Sequence, residues 1–526
     1  MTVASQAPDA ARGATGLGRI SFPNSGSAAA QPPFIRGVLL LHSFEYDDAI
    51  EAFREAERID PGFALAYWGE AMCFDQPLWR NENLEKGRAA IARLGQTPAA
   101  RAGRAPTERE KGYLAAVETL FGDGDRPTRQ RAYLERMAAL SARFPSDDEA
   151  AAFHALALLA TVPEGERNPP VTLRAGAIAS AILERNPEHP GAAHYALHAY
   201  DDGEHAAMGL KAARIYARIA PASSHALHMP SHVFLPLGMW DEAAKSDEAS
   251  FAASMARVKG KRLSMAQADF HSLTWLHYEY LQQGRHDKAR TLETVVENAI
   301  AAGASSSHAG HAAESEIGRG FSSASLKSEL ASMRARAVLE AGDWSRMKGQ
   351  ATFDNIDELF ALGYSAVRAG DEARAEAALD NLLNAAQTVP DRDARELSDI
   401  MGAELAGALQ VARRDRQTGL RLLARAVEME AARPRPVAKP FPVKPAAELY
   451  GEVLLEAGEA RRAVDEFHRA LARTPNRALA LLGLARAAKA AGDITESRRA
   501  AASLVAVWHL ADPGRPELVE ARQLAR

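Results

Sequence analysis

Between Tyr46 and Pro61, Ala49, Phe53 and Ala56 recur at helical spacing among charged residues, and Asp60-Pro61 closes the run. The same stripe returns between Ala460 and Pro475 as Ala463, Phe467 and Ala470. Small residues at that spacing let two helices approach closely, and the proline ends the helix because its ring and missing N–H prevent continuation. Each stripe is the second helix of a pair. The first helix carries a small residue at its eighth position and Gly at the turn, as in Gly451 with Gly458 and Ala485 with Gly492, and these two units lie 34 residues apart.

A helix–turn–helix unit with that period is a tetratricopeptide repeat. Weaker turns of the same kind occur at Gly238-Met239-Trp240-Asp241, Gly284-Arg285-His286-Asp287, Ala341-Gly342-Asp343-Trp344 and Ala369-Gly370-Asp371. The pattern predicts an all-α fold, a right-handed α-solenoid superhelix of about a dozen helical hairpins whose first helices line a concave groove. Irregular insertions are expected after Phe74, around Pro163 to Pro170 and around Ser305 to Ser323. The expected layout is a disordered leader at 1–30, an N-terminal array at 31–304, a flexible insertion at 305–323 and a C-terminal array at 324–526.

Composition narrows the function classes. Hydrophobic residues make up 47% but aromatics only 6%, which suits thin helical layers. A formal net charge of -5 gives no reason to expect nucleic acid as a partner. The single cysteine, Cys73, rules out an intrachain disulfide and any paired-cysteine metal knuckle and fits a reducing compartment. Residues 1–30 lack the basic and apolar segments of a secretion signal. The most apolar run, around Ala150 to Val162, falls short of the roughly 18 to 20 residues that cross a bilayer. The expectation is a cytoplasmic protein with no membrane partner.

The unusual chemistry is histidine. Of 16 histidines, nine lie between His189 and His277. In repeat register His194, His198 and Asp201 take the fifth, ninth and twelfth positions of one first helix, and His225, His228 and His232 take the second, fifth and ninth of the next. These positions face the groove. Residues four apart lie one above the other on a helix, so two neighbouring helices present matching histidine pairs at one height. Imidazoles from both could share one ion or hold two close together. His271 follows at a groove position of the third helix with Tyr278, whereas His277 falls on a packing position. His42 and Asp75 tend toward the groove from upstream. His189 reads as a turn residue, His205, His308 and His311 receive no function, and Met229 reads as core. Pro230 sits either in a first turn or at a bend, and Trp68, flanked by Tyr67 and Trp79, reads as packing against the insertion more readily than as a ligand wall.

Over residues 34 to 290 the chain resembles a family of bacterial tetratricopeptide-repeat proteins. The likeness is carried by Leu41-His42-Ser43-Phe44, Tyr67-Trp68-Gly69-Glu70-Ala71-Met72, His189-Pro190-Gly191 leading to His194 and His198, His225, and His228-Met229-Pro230-Ser231-His232. The resemblance implies that the histidines are a deliberate feature and that a carboxylate role at Asp201-Asp202 belongs to the pattern. It implies no particular activity.

Two functions compete. In the first, His194, His198, His228 and His232 ligate a transition metal and His225, His271 or Asp201 complete or orient the shell. Neutral imidazole without thiolate suits copper, preferred here, with zinc or iron as alternatives. A redox ion points to a metal-dependent oxidoreductase acting on a small molecule or peptide, and zinc to hydrolysis. In the second, the groove binds a peptide or protein partner without catalysis, the common use of solenoid repeats. No nucleophile elbow, phosphate loop or dinucleotide fingerprint competes with either.

Overall fold

The structure, a computed structural model, describes residues 16–163, 166–305, 321–347, 355–388 and 392–526. Successive helices pair as antiparallel hairpins, from Gln31–His42 with Tyr46–Ile59 to Ala478–Ala491 with Ile494–Val507, and Pro516–Leu524 caps the end. About a dozen hairpins form, so the chain is the all-α tetratricopeptide-type array its period predicts. No helix among the described residues is long and apolar enough to cross a membrane.

One packing device recurs at both ends. A Cβ added at Gly69 would lie 2.2 Å from the Phe53 ring, and one at Gly483 would lie 2.2 Å from the Phe467 ring. A phenylalanine of each second helix therefore fills the space a glycine leaves on the next first helix. Around these locks run two large cores, one containing Phe53, Trp68, Phe153 and Tyr195, the other Phe360, Leu405, Tyr450 and Phe467.

Residues 16–30, expected as part of a disordered leader, are ordered. Leu17, Ile20 and Phe22 are buried, and Phe22 stacks among Phe34, Trp68 and Tyr113. The segment is stitched to two repeat turns by Arg19 N–H to Glu188 O at 2.9 Å and Ala222 N–H to Gly16 O at 3.0 Å. Three well-spaced apolar side chains suffice to anchor it, a signal submerged in a stretch rich in Ala, Ser and Gly. Residues 1–15 and most of the 305–323 insertion, with His308 and His311, lie outside the described residues.

The array closes on itself. The turn at 476–477 docks on the turn at Gly238, where Trp240 Nε1–H donates to Asn476 O at 2.9 Å, and Trp508 Nε1–H donates to Gln282 O at 2.9 Å. Between them Arg477, 1% exposed, reaches Glu448 at 2.7 Å, Glu340 at 2.6 Å and the Tyr278 hydroxyl at 3.0 Å. A cation taken from water stays charged only when paired and hydrogen-bonded. Here the pairing joins C-terminal repeats to the helix Phe270–Gln282 of the histidine region.

Two irregularities shape the groove. The insertion after Phe74 forms an antiparallel hairpin, Asp75–Gln76 with Asn81–Glu82, the only strands among the described residues. The first helix of the sixth hairpin is split into Ser224–His228 and Ser231–Phe234. Pro230 lies at the break, the bend its missing N–H predicts.

Candidate metal centre

Helix Pro190–Ala199 carries His194 and His198 one turn apart, and the next first helix places His225 against them. His194 Nε2 lies 3.0 Å from His225 Nε2 and 3.1 Å from His198 Nε2. The split helix then turns His228 and His232 together, with their Nε2 atoms 3.0 Å apart, and His271 on Phe270–Gln282 completes a second trio. The rings of the two trios are neighbours, 6.2 Å between the centroids of His198 and His232 and 6.4 Å between those of His225 and His228. The register allowed either one shared ion or two held close together, and the side chains group as two trios. The break at Pro230 staggers the second helix, so each repeat's pair closes with a different third histidine.

The far nitrogens of the inner rings are fixed. His194 Nδ1–H donates to the backbone carbonyl of His42 at 2.6 Å, and a carbonyl can only accept, so His194 Nε2 presents a bare lone pair. His228 Nδ1 shares a hydrogen bond with Asp247 Oδ1 at 2.5 Å, and His232 Nδ1–H donates to Asp201 Oδ2 at 2.7 Å. Burial raises the carboxyls of Asp247 and its neighbour Glu279. Their mutual contact raises Glu279 further and offsets part of the rise at Asp247, whose carboxyl still stands well above the usual range. His232 Nε2, its ring proton committed to Asp201, presents a lone pair to His228 Nε2. Burial pushes both His194 and His228 down to about 3, so they are neutral at pH 7, the form that binds metal. Two nitrogens 3.0 Å apart, each about 2.0–2.1 Å from a common ion, subtend about 90–100° there.

Asp201 therefore orients His232, an oxygen on the ring's second nitrogen of the kind that raises ligand basicity. Asp202 instead pairs with His205 at 2.7 Å. Asp75 is bound to Arg126 at 2.9 Å, away from both trios. His277 is buried against Glu293 at 3.3 Å, a packing position as expected. Tyr278, read as groove-facing, is fully buried against Arg477, and Trp68 is core. Beneath the first trio, His42 Nε2 bonds Glu149 at 2.7 Å and His189 Nε2 lies 3.2 Å from the other Glu149 oxygen. All three are fully buried. Burial alone raises the Glu149 carboxyl, yet the two imidazoles hold it down at about 2. His189 also caps its helix, accepting from Ala192 N–H at 3.1 Å. This network fixes the His42 carbonyl that in turn fixes His194.

The reading of the groove positions missed Glu149, Asp247 and Phe44. Asp247 lies on the second helix of its hairpin, Trp240–Lys261, among Ala and Ser positions, and only a buried carboxylate on such a face could have signalled it. Phe44 adopts φ 57 and packs its ring 4.3 Å from His194. A bulky residue in the left-handed region costs about 1–3 kcal/mol and persists where its surroundings demand it.

Both trios open on one cavity of about 890 Å³, lined by His198, His225, His232 and His271 together with Leu78, Trp79, Leu159, Val162, Met229 and Phe321. His194 and His228 stand behind, fully buried. Three donors on each side with a shared opening leave room for an exogenous molecule.

No protein-family model and no curated protein matches the chain. Among solved structures, the human IFIT1 dimer with m7Gppp-AAAA aligns over 93% of this chain and 91% of its own at 13% identity and a TM-score of 0.35. The APC/C hetero-tetramer Cut9-Hcn1 aligns over 96% and 77% at 12% identity and a TM-score of 0.31. The fold of this chain, an all-α array of tetratricopeptide-type hairpins, rests on its own helices and period.

Proposed function

We propose that this protein is a metalloprotein holding two transition-metal ions, one on each histidine trio, and that it oxidises a small organic molecule or peptide in the cavity between them. The observation that carries this reading is the fixed tautomer of His194 and His232. His194 Nε2 faces two imidazole nitrogens at 3.0 and 3.1 Å, and its only proton is committed to a carbonyl. His232 Nε2, its ring proton committed to Asp201, faces His228 Nε2 at 3.0 Å. Each of these lone pairs points into a trio of imidazole nitrogens that one cation could share, and nothing in repeat packing calls for such a trio.

Copper is the preferred ion. The donors are neutral imidazoles without thiolate, and the angle of about 90–100° suits tetragonal copper better than tetrahedral zinc. A bound redox ion supplies electron transfer. The chain itself orients the rings through Asp201, Asp247 and the His42 carbonyl, excludes water behind His194 and His228, and leaves the outer rings open to substrate. The substrate gives up two electrons and two protons, which reduce dioxygen to hydrogen peroxide. The likeness of the His228-Met229-Pro230-Ser231-His232 segment to the bacterial repeat family supports a deliberate site.

Elemental analysis of tag-free protein, before and after loading with copper or zinc, tests the proposal. Two tightly held equivalents per chain are expected, one lost in His194→Ala and the other in His228→Ala. Protein that retains neither metal after dialysis, yet captures a peptide partner equally well with both histidines replaced, is an adaptor and overturns it.

A further inference from the structure

One wall of the cavity, beside His225, is built by an element foreign to the repeat. The hairpin Asp75–Glu82 carries Leu78, Trp79 and Arg80 on its loop. It is braced on every side. Arg126 binds Asp75 at 2.9 Å and the carbonyls of Gln76 and Asn81 at 3.3 and 3.2 Å, and Arg129 grips both oxygens of Glu82 at 2.8 and 2.6 Å. At the tip Arg80 adopts φ 54, a conformation L side chains rarely hold, and its guanidinium donates to Ala160 O and Val162 O. Strain of this kind, held by a network of ions, keeps the loop in one place. What it holds there is Trp79, half-buried, edge-on to His225 at 5.6 Å and 87° and to Tyr46 at 5.3 Å and 77°.

The charged groups of the lining are already engaged. Arg257 pairs with Asp48 at 2.9 Å, Arg80 with the two carbonyls, Asp201 with His232, Asp269 with Ser272 N–H at 3.1 Å and the Ser250 hydroxyl at 3.1 Å, and Glu329 with Lys439 at 3.6 Å. A ligand entering the cavity meets an indole, aliphatic walls and imidazoles, while the charged side chains of the lining are held on protein partners rather than turned toward it. Burying an unpaired charge is far costlier than burying an aromatic ring.

We infer that the cavity selects an uncharged aromatic group and that Trp79, presented by the braced hairpin, is its specificity-determining wall. As a substrate class for the metal centre this rests on the reading above. As a binding site it stands on the cavity alone. The test is calorimetric titration of the metal-free full-length chain with 2-naphthol and with phthalate, an aromatic dianion of comparable size. Saturable one-site binding of 2-naphthol is expected, weakened at least about tenfold in Trp79→Ala and within about threefold of wild type in Trp79→Phe, with no heat from phthalate. Val162→Trp fills the cavity from another wall and should abolish binding, which keeps the test valid if Trp79→Ala does not fold. Equal binding of phthalate, no binding of 2-naphthol, or full affinity in a folded Trp79→Ala overturns the inference. Metal content measured on the same samples separates the two readings. Naphthol bound by a chain that retains no metal when a second aliquot is loaded with copper and dialysed sinks the metal centre alone, and metal held by that aliquot without naphthol binding sinks this site alone.

Discussion

The repeats at Ala446–Val507 and those at Pro190–Lys261 follow one packing plan and turn different faces inward. In the C-terminal pair, Gly483 seats Phe467, the helices run unbroken for 11 to 14 residues, and the buried inner charges, Glu448, Lys444 and Arg477, satisfy one another. In the histidine pair the first helices shrink to 10 residues and to two pieces of 5 and 4, and the inner positions carry imidazoles whose second nitrogens are spent on Asp201, Asp247 and a carbonyl. Polar groups of the first region face partners and close the array. Those of the second face each other around a gap. The same scaffold thus pairs buried charges at one place and gathers neutral imidazoles at another.

Replacing Arg477 should break the comparison most. Arg477→Ala leaves Glu448 and Glu340 buried without their cation, and urea unfolding should lose about 3–5 kcal/mol. Metal content per folded chain should hold, because neither trio touches Arg477.

Acid should find the same clamp. Although burial opposes it, Arg477 and Lys444 hold the Glu448 carboxyl down at about 2, below its usual 4.5. A depressed folded value means stability that is fully present above the unfolded value and is lost as pH falls from about 4.5 toward 2. Wild type should therefore lose more midpoint than Glu448→Gln across that window. Parallel pH profiles for the two proteins contradict the assignment.

On the histidine side, Gly191→Ala should cost about 1–3 kcal/mol, since its Cβ would sit 2.2 Å from His42 Nδ1 and displace the carbonyl that fixes His194. The expected signature is selective, with the first ion weakened and the second retained. Asp247→Ala does the reverse. It removes the hydrogen-bond partner of His228 Nδ1 and should cost the second ion about 10–100-fold in affinity, read by competition with a chelator. Equal weakening of both ions in either variant contradicts two separate trios.

The smallest effect is expected at Pro230. Pro230→Ala frees the backbone to join the two short helices, at about 0.5–1 kcal/mol through the unfolded chain. Its consequence for the second ion should exceed its consequence for stability, because a continuous helix turns His232 away from Asp201.

Much of this was legible in the residues. The stripe at Ala49, Phe53 and Ala56, its copy at Ala463, Phe467 and Ala470, and the 34-residue spacing led to the hairpins, because helix contacts within a repeat are local and repeat with the sequence. Groove register brought His194, His198, His228 and His232 to one region for the same reason. It did not divide them, since the split at Pro230 shifts the second helix by an amount no ideal helix predicts. Phe22 was lost in a small-residue stretch and Trp79 in an insertion, both outside the period.

The sequence by itself determined an all-α array of helical hairpins, the small-residue positions that let them stack, and a concentration of imidazoles on the inward face. Each follows from spacing along one or two adjacent helices. Only the tertiary structure decided which nitrogens carry protons, which histidines share a point, and what walls the cavity. Those depend on His42, Glu149, Asp247 and Trp79, residues far from the trios in sequence or off the helix face the period marks, brought in by the curvature of the array and by an insertion whose position is fixed through ion pairs rather than by helical spacing.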